Sequence, residues 1–437
     1  MKSPIHIADN NRTGLEIKDK ESLADLLKIA ENPISKINLD SNPNLLIFPQ
    51  NYNEYGDKIG DQYVFEVNGN RLCTGNIMGF IGYHDTKVRI HSRFSQSDGN
   101  DYFLHYMLQK VFALNIFDLK FHSDEESILD FLIYLFPTFL KRAMRQGLFK
   151  EYQTRQYNDA NVRGRIDVNR HLRLNLPFAG KVAYSTREYA YDNHVTQLVR
   201  HTIEYIANHP YSGGILQNDE QTKDAVSLIR EATPSYSQNE RRKVINQNLR
   251  PVYHPYFSEY RNLQRLCVQI LRHEEMKYGR KTDEIYGVLF DGAWLWEEYL
   301  NTMLKDCGFI HPQNKLSTGR ICLFKDRSGH RYPDFFKDDF VLDAKYKSYG
   351  NTEVSSIDRD DLHQVITYMY RLRASHGGFV VPLKQGEYAA KSKELDGYGG
   401  EIGVYGLKAD IESTKYEEYI SSIVKQEQIL KQSLAYV

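Results

Sequence analysis

Short runs of apolar and β-branched residues, separated by turn residues, characterise the chain up to about residue 98. Residues 44–48 and 62–67 have the composition of strands, and the Asn-Gly-Asn sequence at 68–70 is typical of a hairpin turn. Residues 87–91 alternate apolar and polar side chains with a period of two, which predicts a half-buried strand. The pattern therefore predicts a small, mostly β N-terminal module over residues 1–98.

Helical spacing of apolar residues replaces this pattern between residues 99 and 282, which predicts a mainly helical region. The predicted helices lie near residues 103–112, 128–148, 193–208, 222–232 and 260–278, with a short turn and strand at 161–167. The longest apolar run, residues 131–140, is far shorter than the roughly 20 residues of a membrane span, so it predicts a buried helix.

From residue 283 to 437 the order is helix, strand, strand, helix, strand, which predicts an α/β core. The chain as a whole is thus predicted to be a multidomain α+β protein. The four cysteines are scattered without zinc-type spacing, and the N-terminus lacks the apolar core of a signal peptide. These features predict a cytoplasmic protein with reduced thiols and no membrane partner.

Charge is balanced overall, at a net value of −1, so any surface for nucleic acid must be local. Residues 141–173 form a basic segment, with Arg163, Arg165 and Arg170 among its cations. This segment is interpreted as a contact for DNA phosphates or for an acidic partner. A solvated helix face with internal ion pairs is the alternative.

A strand that carries charges inside an apolar run is the most informative pattern in the chain. Residues 340–346 read Phe-Val-Leu-Asp-Ala-Lys-Tyr, and alternate side chains on a strand share one face. Asp343 and Lys345 therefore point the same way, and the opposite face is predicted to face the core. A polar turn at 337–339 predicts a hairpin that brings Asp334 beside Asp343.

Two neighbouring carboxylates and a lysine suit divalent-metal chemistry. Carboxylate oxygens bind Mg²⁺, and the backbone carbonyl of Ala344 is a further predicted ligand. Lys345 is predicted to position or deprotonate the attacking water and to neutralise charge on a phosphoryl group. Surface ion pairing is the alternative for so short a motif, but charged residues inside an apolar strand need partners.

Two helices flank this predicted site. On the first, over residues 294–304, Glu297 shares a face with apolar residues, which indicates a third metal carboxylate. An acid favoured by the dipole near the helix start is the alternative. On the second, Asp361, Gln364 and Tyr368 form one row, predicted to bind a DNA phosphate or to orient Lys345, or else to be an ordinary amphipathic boundary.

The combination of Glu297, Asp334, Asp343-Ala344-Lys345 and Gln364 resembles the PD-(D/E)xK nuclease superfamily, closest to McrC-type subunits of McrBC and LlaJI-like restriction systems. Residues 162–167, with the sequence Val-Arg-Gly-Arg-Ile-Asp, and the Asp-Asn pair at 192–193 are similar to further segments of that family. The resemblance is strong after about residue 130 and weak before residue 100.

This resemblance implies that Asp334, Asp343 and Lys345 are catalytic, with Glu297 and Gln364 in support. It also implies a Mg²⁺-dependent DNA endonuclease subunit directed by a McrB-like AAA+ GTPase, with the N-terminal module as a contact for that partner. The chain has no GxxxxGK[ST] segment, so GTP would be used only by the partner. Two copies meeting on DNA would explain double-strand cutting. A non-catalytic adaptor and a stand-alone nuclease remain the alternatives.

Overall fold

The chain folds into two compact units in the computed structural model. Unit 1 combines Met1–Ser127 with Lys281–Val437, and unit 2 is Ile128–Arg280. The structure describes residues 3–37, 42, 45–49, 58–95, 101–112, 125–209, 213–277, 285–312, 319–347, 354, 357–384, 391–397, 399–409, 412–413 and 415–435. None of the helices in these ranges is long and apolar enough to cross a membrane.

Unit 1 contains a first five-stranded sheet that is built from both ends of the chain. Its strands are β1 (Ile5–Ala8), β3 (Leu45–Phe48), β6 (Ile77–Tyr83), β7 (Thr86–His91) and β11 (Tyr286–Asp291), in the order β1-β7-β6-β11-β3. β11 is antiparallel to β6 and parallel to β3. It follows unit 2 in the chain, so this sheet is completed only by the second half of the sequence.

A small antiparallel sheet and one helix cover the first sheet. Their members are β2 (Leu15–Glu16), α1 (Lys20–Ala30), β4 (Phe65–Asn68) and β5 (Arg71–Thr74). Gly69 has a φ of +67°, as the predicted hairpin turn between β4 and β5 requires. Of the strands predicted at residues 44–48, 62–67 and 87–91, the structure confirms 45–48, 65–67 and 87–91. Residues 62–64 are not part of a strand, and residue 44 lies outside the described part.

The second five-stranded sheet of unit 1 lies in the last third of the chain. Its strands are β14 (Phe335–Lys337), β15 (Phe340–Ala344), β16 (His376–Leu383), β17 (Lys391–Glu394) and β18 (Glu401–Lys408), in the order β14-β15-β16-β18-β17. β15, β16 and β18 are parallel, and α10 (Arg359–Leu372) connects the first two. A short hairpin of β12 (Ile321–Cys322) and β13 (His330–Arg331) precedes β14.

Three further helices of unit 1 pack together around one buried carboxylate. They are α2 (Tyr102–Val111), α9 (Gly292–Leu304) and α11 (Tyr416–Ala435). Glu427 of α11 accepts hydrogen bonds from the hydroxyls of Tyr106 and Tyr299, at 2.9 and 2.8 Å. Burial of a carboxylate is tolerable when such donors satisfy it, so Glu427 ties α11 to α2 and α9.

Unit 2 combines helices with a three-stranded antiparallel sheet. Its elements are α3 (Glu125–Met144), β8 (Glu151–Asp159), β9 (Arg165–Ile166), α4 (Val168–Leu174), β10 (Val182–Ala190), α5 (His194–Ala207), α6 (Glu220–Ala232), α7 (Arg241–Gln247) and α8 (Ser258–Lys277). The prediction of a mainly helical region missed β8 and β10. Their side chains are largely exposed or polar, so they lack the apolar alternation of a half-buried strand.

The three consecutive regions predicted from the sequence, 1–98, 99–282 and 283–437, differ from these two units. α2 belongs to unit 1, and β11 pairs with strands of the N-terminal module. Unit 2 is thus inserted into unit 1. The mixed α/β, multi-unit character of the chain is confirmed.

Candidate active site

The hairpin of β14 and β15 brings two carboxylates together, as the sequence predicts. Phe335 pairs with Leu342, and the turn between the strands contains Asp338 with a φ of +33°. Oδ2 of Asp334 accepts a hydrogen bond from the backbone N–H of Ala344 at 2.7 Å. This bond fixes the Asp334 carboxylate beside the strand that carries Asp343.

Asp343 lies inside the protein with its lysine partner beside it. The residue is 1% exposed, and Nζ of Lys345 lies 2.8 Å from its Oδ2. Val341, on the same face, is fully buried in the apolar cluster that α10 covers. The sequence predicted one core face for β15, but both faces are covered, because α10 packs on the side that carries the charges.

Asp361 and Lys347 extend the Asp343–Lys345 ion pair into a row of alternating negative and positive charges. Oδ1 of Asp361, in the first turn of α10, lies 3.2 Å from Nζ of Lys345. Its Oδ2 lies 2.5 Å from Nζ of Lys347, which also contacts Asp358 at 2.7 Å. Asp361 therefore contacts Lys345 directly, as one of the two roles that the sequence suggested for its row requires.

Burial makes both acids hard to ionise, and neighbouring carboxylates add to this effect. Burial, followed by the charge of Asp343, raises the pKa of Asp334 to about 8. Burial also raises the pKa of Asp343, although Lys345 opposes that change. Burial alone would lower the pKa of Lys345, but Asp343 and then Asp361 raise it, so the amine is held as a cation.

Glu297 approaches this site through a histidine. Nε2 of His311 lies 3.8 Å from the Glu297 carboxylate, whose side chain is 35% exposed. Nδ1 of the same ring lies 2.8 Å from the backbone carbonyl of Asp334, and the ring stacks on Phe335. Glu297 thus sits at the edge of the site, one imidazole away from Asp334, and is less buried than its apolar helix face suggested.

Gln364 and Tyr368 form a hydrogen-bonded pair on α10. The Gln364 side-chain amide donates to the Tyr368 hydroxyl at 2.9 Å. Tyr368 is only 3% exposed, and its predicted contact with DNA or a partner stays a prediction. Burial raises the pKa of its phenol, and the charges of Asp343 and Asp334 add to that rise, so the pair lies close to the carboxylates.

The side chain after Lys345 anchors β15 to the first sheet of unit 1. The hydroxyl of Tyr346 lies 2.8 Å from Oγ of Ser92, and its ring lies under the guanidinium of Arg93 at 4.8 Å. Arg93 in turn pairs with the buried Asp9 at 2.7 Å. The strand that carries the candidate site and the N-terminal strands therefore share one buried polar cluster.

The donor set fits a hard divalent cation that keeps most of its waters. The buried Oδ2 of Asp343 receives no hydrogen bond of ordinary geometry from the described residues, its neighbour being the Lys345 amine. Asp334 and Asp343 would hold the cation, and the backbone of Ala344 lies beside them. Within the described residues, however, no group of three or more His, Cys, Asp or Glu forms a complete metal shell.

The basic segment lies in unit 2, around β8, β9 and α4. Arg163 is exposed over the ring of Tyr157, and Arg165 is also exposed. Arg170 instead donates to the backbone carbonyls of Tyr157 and Tyr184, so its charge is committed to holding the sheet together. The predicted contact role of these three arginines stays a prediction, and Arg163 and Arg165 are the two that are exposed.

The family-like segments of unit 2 have clear structural uses. A Cβ on Gly164 would lie 2.2 Å from the carbonyl oxygen of Ser185, so only glycine allows β9 to approach β10 this closely. Asp167 accepts from the backbone of Arg170 and caps α4. Asn193 forms a capping box at the start of α5.

Two residues near the site were not singled out from the sequence. Lys347 follows Lys345 by two positions, and this strand-like spacing was a usable signal for a second lysine beside Asp361. His311 lies between predicted elements, and no pattern around it indicated a contact with Glu297.

Comparison with known proteins adds four findings. The family model described as "McrBC 5-methylcytosine restriction system component" matches residues 72–382, well over half of the chain. Solved structures similar to the chain include a half-complex of Thermococcus gammatolerans McrB AAA+ hexamers with bound McrC, with a TM-score of 0.47 and 15% identity, covering 97% of this chain and 99% of that chain. Another is the Thermococcus gammatolerans McrBC complex, with a TM-score of 0.34 and 16% identity, covering 69% and 87%. No curated protein matches the chain.

Proposed function

The chain belongs to the McrBC family of 5-methylcytosine restriction system components, and we propose that it is the McrC-type, Mg²⁺-dependent endonuclease subunit of such a system. The observation that carries this proposal is the juxtaposition of Asp334, Asp343 and Lys345 on the β14–β15 hairpin. The second five-stranded sheet of unit 1, together with α10, would then be a PD-(D/E)xK nuclease core.

The two acids and the lysine divide the chemistry between them. Asp334 and Asp343 would hold the cation as carboxylates, because its positive charge would offset the cost of burying two ionised acids. When bound, Mg²⁺ lowers the pKa of a water and stabilises charge on the phosphoryl oxygen. Lys345, kept protonated by Asp343 and Asp361, would orient the attacking water and neutralise the developing charge on the phosphate.

We further propose that this subunit works with a McrB-like AAA+ GTPase and with DNA. Family membership supports the partner, and the lack of a GxxxxGK[ST] segment assigns GTP hydrolysis to that partner. Cutting of both strands would need two copies on DNA, because each chain carries one such site. Arg163 and Arg165 in unit 2 are proposed contacts for DNA or for the GTPase.

Alanine substitution of the site separates catalysis from assembly. We expect Asp343→Ala and Lys345→Ala to abolish cleavage of methylated DNA in the presence of the GTPase, GTP and Mg²⁺. Stimulation of GTP hydrolysis should remain at the wild-type level. The measurements are gel analysis of cleavage and phosphate release from GTP.

A matched control lies on the same hairpin. Asp338 is an exposed acid in the turn, outside the carboxylate pair, and Asp338→Asn should cut like the wild type. Unchanged cleavage by both Asp343→Ala and Lys345→Ala would contradict the endonuclease proposal and would favour an adaptor role.

A further inference from the structure

We propose that the basic hairpin, residues 320–331, is a DNA-backbone contact of unit 1. This inference rests on the proposed function in so far as DNA is the polyanion that the nearby site would cut. It concerns a surface separate from the basic segment of unit 2, and it follows from charge, exposure, rigidity and position.

The basic hairpin carries an excess of cations that have no carboxylate partner among the described residues. Four of its side chains are exposed cations, namely Arg320, Lys325, Arg327 and Arg331. The hairpin's own acid, Asp326, accepts hydrogen bonds from the backbone N–H and the hydroxyl of Ser328, at 2.9 and 2.6 Å. Its charge is thus used to shape the turn, and the four cations remain accessible to an external anion.

The hairpin is held in one conformation before any ligand arrives. Ile321 pairs with Arg331, and Cys322 pairs with His330. Leu323 donates its backbone N–H to the carbonyl of Gly329 at 3.1 Å. Little conformational entropy is therefore lost when these cations engage a partner, which favours binding.

A neighbouring helix reinforces this position. Arg371 of α10 donates from its guanidinium to the backbone carbonyl of Cys322. α10 also carries Asp361 and Gln364, so the helix that lines the candidate site also holds the basic hairpin.

An exposed aromatic ring lies at the tip of the hairpin. Phe324 is 63% exposed although it is a large apolar side chain. It packs over Gly329, whose φ of +68° and closeness to the ring leave no room for a side chain. Apolar side chains next to cations are used by proteins that contact the grooves of DNA, so Phe324 extends the same surface.

The position of the hairpin distinguishes DNA from other polyanions. Arg331 ends β13, and Asp334 follows three residues later, immediately before β14. Phosphates held by the hairpin would therefore run beside the carboxylates that are proposed to cut them. An acidic protein could also bind these four cations. DNA is favoured because its phosphates, unlike the carboxylates of a protein, are what the neighbouring site is proposed to cut.

DNA binding without cleavage tests this inference. The full chain, in EDTA and without a GTPase, is titrated against a labelled duplex of arbitrary sequence over a range of salt concentrations. The variant Arg327→Gln/Arg331→Gln should bind more weakly, and its salt dependence should fall by about 0.9 in log–log slope for each phosphate that the variant no longer neutralises. Phe324→Ala should weaken binding with no change in that slope.

A matched control removes the same charge from β17, at an edge of the second five-stranded sheet. Lys391 and Lys393 are exposed on β17, and β17 lies at the opposite edge from β14. Lys391→Gln/Lys393→Gln should retain the wild-type affinity and slope. Thermal melting of each variant shows whether the fold is intact, which we expect because all substituted side chains are exposed.

The outcomes separate this inference from the proposed function. If Arg327→Gln/Arg331→Gln binds DNA with the wild-type slope, the hairpin inference is overturned, even where the wild type cuts DNA. A different outcome is that the salt dependence of DNA binding is smaller in Arg327→Gln/Arg331→Gln than in the wild type, while the wild type fails to cut DNA with the GTPase, GTP and Mg²⁺. In that case the hairpin inference stands and the endonuclease proposal fails.

Discussion

At the scale of single residues, Lys345 is held by two carboxylates that lie on different elements. Asp343 contacts it from β15 itself, and Asp361 contacts it from α10. Removing one of two such partners lets the amine settle toward the other. We therefore regard Asp361 as a positioning residue, since it acts on the reaction through Lys345 and not through the substrate.

Substitution of Asp361 tests this role. We expect Asp361→Asn to reduce the cleavage rate by about ten-fold or more, the range seen when partners of ligands and catalytic groups are removed. KM for DNA should change little, because Asp361 is mostly covered by Lys345 and Lys347. Single-turnover cleavage across DNA concentrations separates the two parameters.

The adjacent acid provides the control. Asp360 is 86% exposed at its side chain and pairs only with Arg359 among the described residues, so Asp360→Asn should cut at the wild-type rate. Equal losses in Asp360→Asn and Asp361→Asn would point to a general effect on the start of α10.

At the scale of elements, a buried histidine links α2 to α11. The ring of His105 stacks on Tyr416, with 4.2 Å between the ring centroids, and the residue is 2% exposed. Burial lowers the pKa of His105 to about 3, from an ordinary value of 6.5. The folded state therefore binds this proton more weakly than the unfolded chain does.

The sign of the resulting pH dependence is fixed by linkage. Stability is fully present above about pH 6.5 and is lost as the pH falls toward 3, because protonation then favours the unfolded chain. We expect the free energy of unfolding to fall by about 2 kcal/mol between pH 6.5 and about pH 5 because of His105. Denaturant unfolding at several pH values measures this.

The variant His105→Phe should keep the aromatic stack and flatten this dependence. Some dependence of stability on pH will remain, because burial also lowers the pKa of His201, to about 4. An unchanged slope in His105→Phe would show that this contact between the helices does not depend on the charge of the ring.

Sequence patterns predicted elements well where burial is one-sided. The alternation at 87–91 and the helical spacing of α9 and α10 reflect one more buried face against one more exposed face. β8 and β10 were missed because most of their side chains are exposed or polar. Pairing between them supplies the order that their side-chain pattern does not indicate.

The part of the candidate site that lies on and beside the β14–β15 hairpin could be predicted from the sequence. Asp334, Asp343 and Lys345 lie within twelve residues of one another, and strand geometry alone brings them together. The contact between Glu297 and His311 and the anchoring of Tyr346 by Ser92 join distant segments. Such contacts depend on tertiary packing, which has no local period to detect.

At the scale of the whole molecule, the proposed nuclease core and the N-terminal module form one folding unit. β11 pairs with β6 and β3, and Tyr346 rests against Ser92 and Arg93. We expect a fragment of residues 283–437 to lack a cooperative thermal transition, because it loses these partners. A fragment of unit 2, residues 128–280, should melt cooperatively as a compact unit.

Circular dichroism of both fragments and of the full chain checks this prediction. A cooperative transition in 283–437 at the temperature of the full chain would show that the N-terminal strands are dispensable for the core. Loss of the transition in both fragments would instead show that unit 2 also depends on unit 1.

The insertion of unit 2 has a consequence for how the chain is made. Among the described strands of the first sheet, β3 pairs only with β11, and roughly 240 residues of chain separate the two strands. At translation rates of about 5–20 residues per second, β3 waits on the order of ten seconds or more for its neighbour to leave the ribosome. During that interval the nascent chain exposes the apolar strand β3 without its partner. Its synthesis therefore requires that β3 be protected from aggregation until β11 has been translated.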